Sequence, residues 1–279
     1  MKKNKKCSFI VITGFPNAGK STLLNSLIKN KVSIVSSKVQ TTKDEISGIL
    51  NIKDTQLIFT DTPGLISNKK FNQKRISRTI LNQELKVDKN LFIHDVKRNL
   101  NQKDILFITE TIKKFKNNFL ILNKIDLIEK EKILEKVQIF NSNIKFKETF
   151  IISARKKEGI NKLLKKLILD APIRDWIFPS EVKTDKTLNF QISEITREKI
   201  FHLFNKEIPY SVEISTQFEK FGKILKVYQD ILVKKDSQKS ILIGKKGEKI
   251  KMIGSRARIE MQRLVKNKIF LSLRVKKKD

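Results

Sequence analysis

The stretch Gly14-Phe15-Pro16-Asn17-Ala18-Gly19-Lys20-Ser21 fits the pattern G-x-x-x-x-G-K-S/T and decides the fold of the first half of the chain. An apolar run, Phe9-Ile10-Val11-Ile12, precedes it, and a helix-compatible stretch from Ser21 to Lys29 follows. A glycine-rich turn between a strand and a helix aims several backbone N–H groups at one point, and the positive end of the helix dipole adds to that field. Lys20 is placed to reach the outer phosphates of a nucleotide, and the Ser21 hydroxyl to bind Mg²⁺. A tight surface turn would satisfy the same spacing, so the neighbouring segments matter.

Three more segments narrow the reading. Asp61-Thr62-Pro63-Gly64 follows the apolar run Leu57-Ile58-Phe59, and Leu65 comes next. An Asp at a strand end can hold Mg²⁺ through a water, and the Gly64 N–H can meet a γ-phosphate. Asn123-Lys124-Ile125-Asp126 ends the run Phe119-Leu120-Ile121-Leu122. The Asp126 carboxylate can accept both the N1–H and the 2-amino group of guanine, a pattern that adenine does not offer. Ser153-Ala154 ends the run Phe150-Ile151-Ile152 and brings backbone N–H groups to the guanine O6. Each segment is weak alone, whereas the four in this order predict an α/β fold. The expected form is a doubly wound sheet with its ligand at the carboxyl ends of the strands. GTP contacts are expected from residues 14–22, including Thr22, and from 61–65, 123–126 and 153–154.

The chain has 279 residues, enough for two modest domains with their own cores. The expected division is a nucleotide-binding domain over 1–171, a linker over 172–190 and a second domain over 191–279. Cys7 is the one cysteine, which excludes an internal disulfide framework and suits a reducing compartment. It reads as an inert residue beside a strand. The lysine-rich start at Met1 is backed by too short an apolar stretch for a signal peptide. No segment approaches the ~18 apolar residues of a membrane helix. His94 and His202 are the only histidines. His202 falls in an apolar helical pattern and reads as a packing residue, and no Cys/His cluster suggests a metal site.

The formal net charge of +31 implies a polyanionic partner. Its distribution says more than its total. Residues 180–233 hold 8 basic and 8 acidic side chains, whereas 234–279 hold 16 and 4. After Pro172 and Pro179, a helical pattern through Ile192, Ile195, Ile200 and Leu203 is expected to start at Ser193, with Glu194 and Glu198 on its polar side. Two β-like runs follow, Tyr210–Phe218 and Lys223–Val233. Then comes Ile241-Leu242-Ile243-Gly244-Lys245-Lys246-Gly247-Glu248-Lys249-Ile250. A G-x-x-G turn between short helices lets a nucleic-acid backbone approach closely, and Lys245 and Lys246 supply phosphate contacts. A helix from Glu248 to Lys266 would bury Ile250, Ile253, Ala257, Met261 and Leu264 and show Lys249, Lys251, Arg256, Arg258 and Arg263. A last strand from Ile269 to Val275 completes a KH-type RNA-binding module. The RNA-binding set is Ile243, Gly244, Lys245, Lys246, Gly247, Lys249, Ile250, Lys251, Arg256 and Arg258.

From Phe9 to about Val275 the chain resembles the Era family of bacterial GTPases. Besides the nucleotide motifs, Gln40-Thr41-Thr42-Lys43 looks like the family's switch I, with Lys43 where an arginine is usual. Ile195–Ile200 and Glu207–Val212 look like its entry into the KH domain, and Gly244–Arg258 like its RNA-binding signature. The resemblance implies a P-loop GTPase domain followed by a smaller α+β domain of the type II KH arrangement. It also implies binding to the 3′ region of small-subunit ribosomal RNA, in assistance to assembly of that subunit. Hydrolysis of GTP to GDP and phosphate would rest on Lys20, Thr42 and Gly64, with Ser21, Thr42 and Asp61 around Mg²⁺. Leu65 stands where Ras-like proteins carry a water-orienting glutamine, so intrinsic hydrolysis should be slow. Asn17 either helps to hold K⁺ against the phosphates or stabilises the phosphate loop.

Two other functions fit the same residues less well. One is a constitutive RNA-binding chaperone with a weakly active GTPase domain. The other is a peripheral membrane GTPase drawn to anionic lipid by its lysines. The expected state is a cytoplasmic monomer, with peripheral attachment to the inner membrane as the alternative location.

Overall fold

The computed structural model describes residues 5–29, 46–61, 87–204 and 208–278. They form two compact units that divide between Asp185 and Lys186.

In the first unit the apolar runs become strands. These are β1 (Lys6–Gly14), β2 (Ile46–Ile52), β3 (Thr55–Asp61), β4 (Lys89–Asp95), β5 (Asn118–Asn123) and β6 (Glu148–Ile152). The sheet order is β2-β3-β1-β4-β5-β6, and every pairing is parallel except that of β2 with β3. Phe9 to Ile12, Leu57 to Phe59 and Phe119 to Leu122 are all buried, as strands covered on both faces require. The helices are α1 (Lys20–Ile28), α2 (Gln102–Ile112), α3 (Lys130–Asn143) and α4 (Ile160–Leu169). Asn101 and Asp104 form a reciprocal capping box that starts α2. Leu163, Leu164 and Leu167 give α4 its buried stripe. Burying one such side chain fully stabilises by roughly 1.5–3 kcal/mol.

Residues 172–185, expected within a linker, lie along this unit. Arg174 makes a two-pronged ion pair with Asp88, at 3.1 and 3.2 Å. The buried Gln56 Oε1 accepts from the N–H groups of Ile177 and Phe178, and its Nε2 donates to the Phe178 carbonyl. The Ile49 N–H donates to the Lys183 carbonyl and the Ser47 N–H to Asp185 Oδ1. These bonds fix the segment without any periodic pattern in its sequence. Cys7 is fully buried, and burial pushes its thiol up to about 11, which makes it inert.

The second unit runs α5 (Leu188–Leu203), α6 (Ile208–Ser211), β7 (Glu213–Phe221), β8 (Ile224–Val233), α7 (Asp236–Ile243), α8 (Glu248–Val265) and β9 (Lys268–Lys277). β8 is central, antiparallel to β7 and parallel to β9. Its residues alternate: Leu225, Val227, Ile231 and Val233 are buried with Ile253, Ala257 and Met261 of α8. Apart from the single short turn α6, this α-β-β-α-α-β order is the type II KH arrangement.

Three expectations are corrected here. α5 begins at Leu188, ahead of Ser193: Thr187 caps it, its hydroxyl accepting from the Phe190 N–H at 3.3 Å. Ser193 lies inside the helix, bonded to the Asn189 carbonyl and the Thr216 hydroxyl. Glu198 is 2% exposed, not on a polar face, because Lys199 neutralises it and also binds Glu260. His202 is exposed and lies outside the core.

Candidate nucleotide site and nucleic-acid interface

The phosphate loop joins β1 to α1 at the carboxyl end of the sheet. Gly14 has φ 145°, and a Cβ there would stand 2.2 Å from the Ile93 carbonyl oxygen. Gly19 has φ 102°, and its Cβ would stand 2.3 Å from Asn123 Nδ2. Both glycines are therefore required twice over, by backbone conformation and by space. Asn17 adopts φ 60°, which suits asparagine. It is exposed, and its side chain has no hydrogen-bond partner among the described residues.

Lys20 is 8% exposed, and its Nζ donates to the carbonyls of Gly14 (3.3 Å) and Phe15 (3.0 Å). Burial lowers its pKa, and Asp61 partly restores it. A polyphosphate at this point would stabilise the ammonium further. The Ser21 hydroxyl donates to Asp61 Oδ2 at 2.6 Å, and Asp61 is fully buried at the end of β3. A hydroxyl and a carboxylate converging beside a phosphate cradle are hard oxygen donors that fit Mg²⁺. Phe15 points inward, edge-on to Phe92, with the Arg98 guanidinium 4.1 Å from its ring. Arg98 in turn pairs with Asp104 at 2.7 Å, and its carbonyl meets His94 Nε2 at 3.0 Å. Burial pushes His94 down to about 4, so it is a neutral packing group.

On the base side, Asn123 Nδ2 donates to the Ala18 carbonyl at 2.8 Å, and its Oδ1 accepts from the Ala154 N–H at 2.9 Å. One amide thus ties the phosphate loop to the Ser153-Ala154 turn. Lys124 takes φ 68° and pairs with Asp95 at 2.6 Å. Ile125 and Asp126 lie in a single helical turn, and a hydrogen bond from Ser153 holds the Asp126 carboxyl below its usual range. Thr22 sits in the first turn of α1 and Pro16 in the loop. The structure thus brings Gly14–Thr22, Asp61, Asn123–Asp126 and Ser153–Ala154 to one end of one sheet. Thr42, Thr62, Pro63, Gly64 and Leu65, with the rest of the switch I segment at Gln40–Lys43, lie outside the described residues. The Asn123 bridge, the Lys124–Asp95 pair and the Arg98–Phe15 stack were not anticipated. They join residues far apart in sequence and leave no local pattern.

In the second unit Gly244, Lys246 and Gly247 have φ 71°, 50° and 76°. Lys245 and Lys246 are exposed. Beside this turn a groove of about 400 Å³ is lined by Ile250, Lys251, Gly254, Ser255, Arg258, Leu271 and Leu273. Apolar walls with basic side chains at the rim suit unstacked bases and their phosphates. The structure sorts the sequence-derived set. Ile250, Lys251 and Arg258 line the groove, Gly244–Gly247 form the tip, and Ile243 leads into it. Lys249 instead lies 5.1 Å from the Phe204 ring centre. Arg256 is exposed but does not line the groove. Gly254, Ser255, Leu271 and Leu273 were missed. The signal was there, since a glycine inside a helix costs ~1 kcal/mol relative to alanine and asks for a reason. Here a Cβ would make only an ordinary contact with Leu273, at 3.4 Å, so the glycine is not required by a clash and instead leaves room in the groove.

Among the described residues no helix is long and apolar enough to cross a membrane, and no three or more His, Cys, Asp or Glu side chains gather in a group that could hold a metal ion.

Comparison with known proteins finds relatives of both domains. A family model described as a 50S ribosome-binding GTPase matches residues 9–124, and a KH domain model matches 207–279. GTPase Era of Ehrlichia canis is 39% identical over 99% of this chain and 94% of its own length. GTPase Era of Syntrophus aciditrophicus is 38% identical over 97% and 90%. A crystal structure of Era in complex with MgGDPNP and nucleotides 1506–1542 of 16S ribosomal RNA has a TM-score of 0.86 and 32% identity. The match covers 98% of this chain and 94% of that one. A GDP- and aluminium fluoride-bound Aquifex aeolicus Era variant gives 0.85 at the same identity and coverage. With the phosphate cradle, the guanine-reading motif and the KH groove in one chain, and near-full-length relatives at this identity, the chain belongs to the Era family of GTPases.

Proposed function

We propose that the protein is a GTP-hydrolysing switch that binds the 3′ region of small-subunit ribosomal RNA and assists assembly of the small ribosomal subunit. The observation that carries this reading is the pairing, in one chain, of the phosphate cradle and the Ser21–Asp61 contact, among the described residues, with a KH groove opening beside the Gly244–Gly247 turn. The Era relative crystallised with MgGDPNP and a 16S ribosomal RNA fragment supports it. The GTPase part is assigned to 1–171 and the KH part to 191–279; of the connecting residues 172–190, the stretch 172–185 is bound to the first unit and Leu188 already opens α5 of the second. The cytoplasm is the assigned location.

The chemistry is attack of water on the γ-phosphate, and stabilisation comes from positioned charge rather than from an acid–base pair. The backbone N–H groups of the Gly14–Thr22 stretch, Pro16 excepted, receive the phosphates, with Lys20 on the outer pair. Ser21 and Asp61, joined by Thr42, would hold Mg²⁺, which supplies charge neutralisation between the β- and γ-phosphates. The Gly64 N–H is assigned to the γ-phosphate, and Thr62, Pro63 and Leu65 are assigned with it to the GTP contacts. Asp126 reads the N1–H and 2-amino group of guanine. Ser153 and Ala154 offer N–H groups to O6, and Asn123 and Lys124 hold the two sides together. Leu65 has no group to orient water. Asn17, exposed at the loop, is assigned either to a K⁺ ion that offsets phosphate charge or to stabilising the phosphate loop.

Crosslinking in cells followed by sequencing of bound RNA tests the assignment. Reads concentrated at the 3′ end of small-subunit ribosomal RNA are expected. Reads spread evenly over messenger RNA would overturn it.

A further inference from the structure

β9 has two faces, and only one belongs to the groove. Its odd-numbered residues Ile269, Leu271, Leu273 and Val275 turn to the helices, so Phe270 turns the other way. On that outer side the register places Phe221 opposite Ile224 and Lys226 opposite Phe270. Phe221 is 65% exposed and Phe270 52%. Tyr228 meets Phe270 with ring centres 6.4 Å apart, and Lys226 Nζ lies 4.2 Å from the Phe221 ring centre. The solvent face of a small sheet is ordinarily polar, so clustered exposed aromatic rings call for a partner.

The charge around the rings states what that partner is. Lys226 and Lys268 flank them. Glu219 is the acid within reach, at 3.8 Å from Lys226 Nζ and 3.3 Å from the Tyr228 hydroxyl. That pairing is exposed and weak, and leaves the ammonium available. Further along the same face, Asp230 is taken up by both Arg274 and Lys276. Flat rings with lysines between them on an open sheet match a polyanion with aromatic bases.

We propose that the outer face of the β7–β8–β9 sheet is a second RNA-binding surface. Unpaired bases stack on Phe221 and Phe270, and their phosphates lie on Lys226 and Lys268. The strand seated in the groove continues onto this face. The proposal rests on the RNA-binding reading of the groove for that continuity, but not for the stacking itself.

The test uses the full chain and two fluorescein-labelled RNAs, a uridine hexamer that fits the groove alone and a uridine 20-mer that extends beyond it. Phe221→Ala with Phe270→Ala should weaken the 20-mer by at least about tenfold, the scale of removing a base–aromatic stack. The hexamer should stay within about twofold of the parent. The Phe221→Tyr/Phe270→Tyr pair should retain 20-mer binding, whereas Phe221→Leu/Phe270→Leu should not. An unchanged 20-mer affinity in the alanine pair overturns the proposal, as does equal weakening for both RNAs. Leucine binding like the parent would mean an apolar dock and also overturns it. If the parent fails to bind the hexamer while the 20-mer still depends on the two rings, the groove reading falls and the sheet surface stands.

Discussion

The chain carries two glycine turns that receive phosphate, and they are built on opposite principles. In Gly14–Ser21 the glycines are enclosed, each with an atom little more than 2 Å from where a Cβ would sit. The lysine between them and the sheet is buried, and Phe15 is pinned by Phe92 and Arg98. In Gly244–Gly247 a Cβ on the second glycine would meet nothing closer than Ile250, at 4.0 Å. One on the first would stand 2.8 Å from Lys249 Cγ and 3.1 Å from its Cβ, so that lysine would have to shift, but no backbone atom is met as at Gly14. Both lysines there stand in solvent. The first turn fixes one ligand in one geometry, as catalysis demands. The second offers charge and closeness to a backbone whose sequence it does not read.

The largest contrast should come from the glycines. Gly19→Ala adds left-handed strain to a clash with Asn123, together roughly a 10³-fold loss in nucleotide affinity. Gly247→Ala meets strain without a clash and should weaken RNA binding by about tenfold. Isothermal titration of both variants checks this, and similar losses would erase the distinction between a packed and an open turn. Next is Lys20→Ala, expected to lower GTP turnover by about 10²–10³-fold, the scale of one preorganised electrostatic interaction. Steady-state phosphate release measures it, and retention of turnover would remove Lys20 from the chemistry.

Reversing the tip, Lys245→Asp with Lys246→Asp, should weaken single-stranded RNA binding by about 10²-fold. It should also flatten the salt dependence, by about 0.7 in slope for each phosphate that the tip no longer neutralises. GTP hydrolysis should be untouched. A matching reversal at the exposed Lys162 and Lys165 of α4 is the control. Equal weakening by both would make the tip only part of a diffuse basic surface.

The smallest effect concerns pH and touches only the enclosed turn. His94 is buried and neutral, with its titration lowered from the ordinary 6.5 to about 4. Between those values the unfolded chain binds more protons than the folded one, so stability rises with pH. The stability is fully present above pH 6.5 and is lost as pH falls toward 4, by up to about 1.4 kcal/mol per pH unit. Urea melts of the parent and of His94→Gln should show that slope in the parent alone. Equal slopes would mean that His94 does not carry it.

The two turns also differed in how far sequence revealed them. Much of the enclosed turn that depends on local order was legible: four apolar runs, each ended by a motif, became β1, β3, β5 and β6, with the cradle at their carboxyl ends. What those motifs touch was not. The Asn123 bridge from Ala18 to Ala154 spans 105 residues one way and 31 the other, and no local pattern encodes it. For the open turn, the G-x-x-G tip was legible and its groove only half so. α8 shows Ile250, Lys251 and Arg258 to the groove, but the opposite wall comes from Leu271 and Leu273 of β9. Those residues read simply as a core strand. Glu198 failed for a related reason, because a charged residue reads as exposed until its buried partner Lys199 is seen. The stretch 172–185 is held by Gln56, Asp88 and the backbone of β2, all partners remote in sequence.

We propose that the enclosed turn governs the open one, with nucleotide state setting RNA affinity. The direct measurement is the affinity of the full chain for the 3′ segment of small-subunit ribosomal RNA, with Mg²⁺ and either GDPNP or GDP. A switch predicts at least fivefold tighter binding with GDPNP, about 1 kcal/mol of coupling. The difference should vanish when Gly19→Ala removes nucleotide binding. Equal affinity in both nucleotide states would contradict the account and leave a constitutive RNA-binding protein.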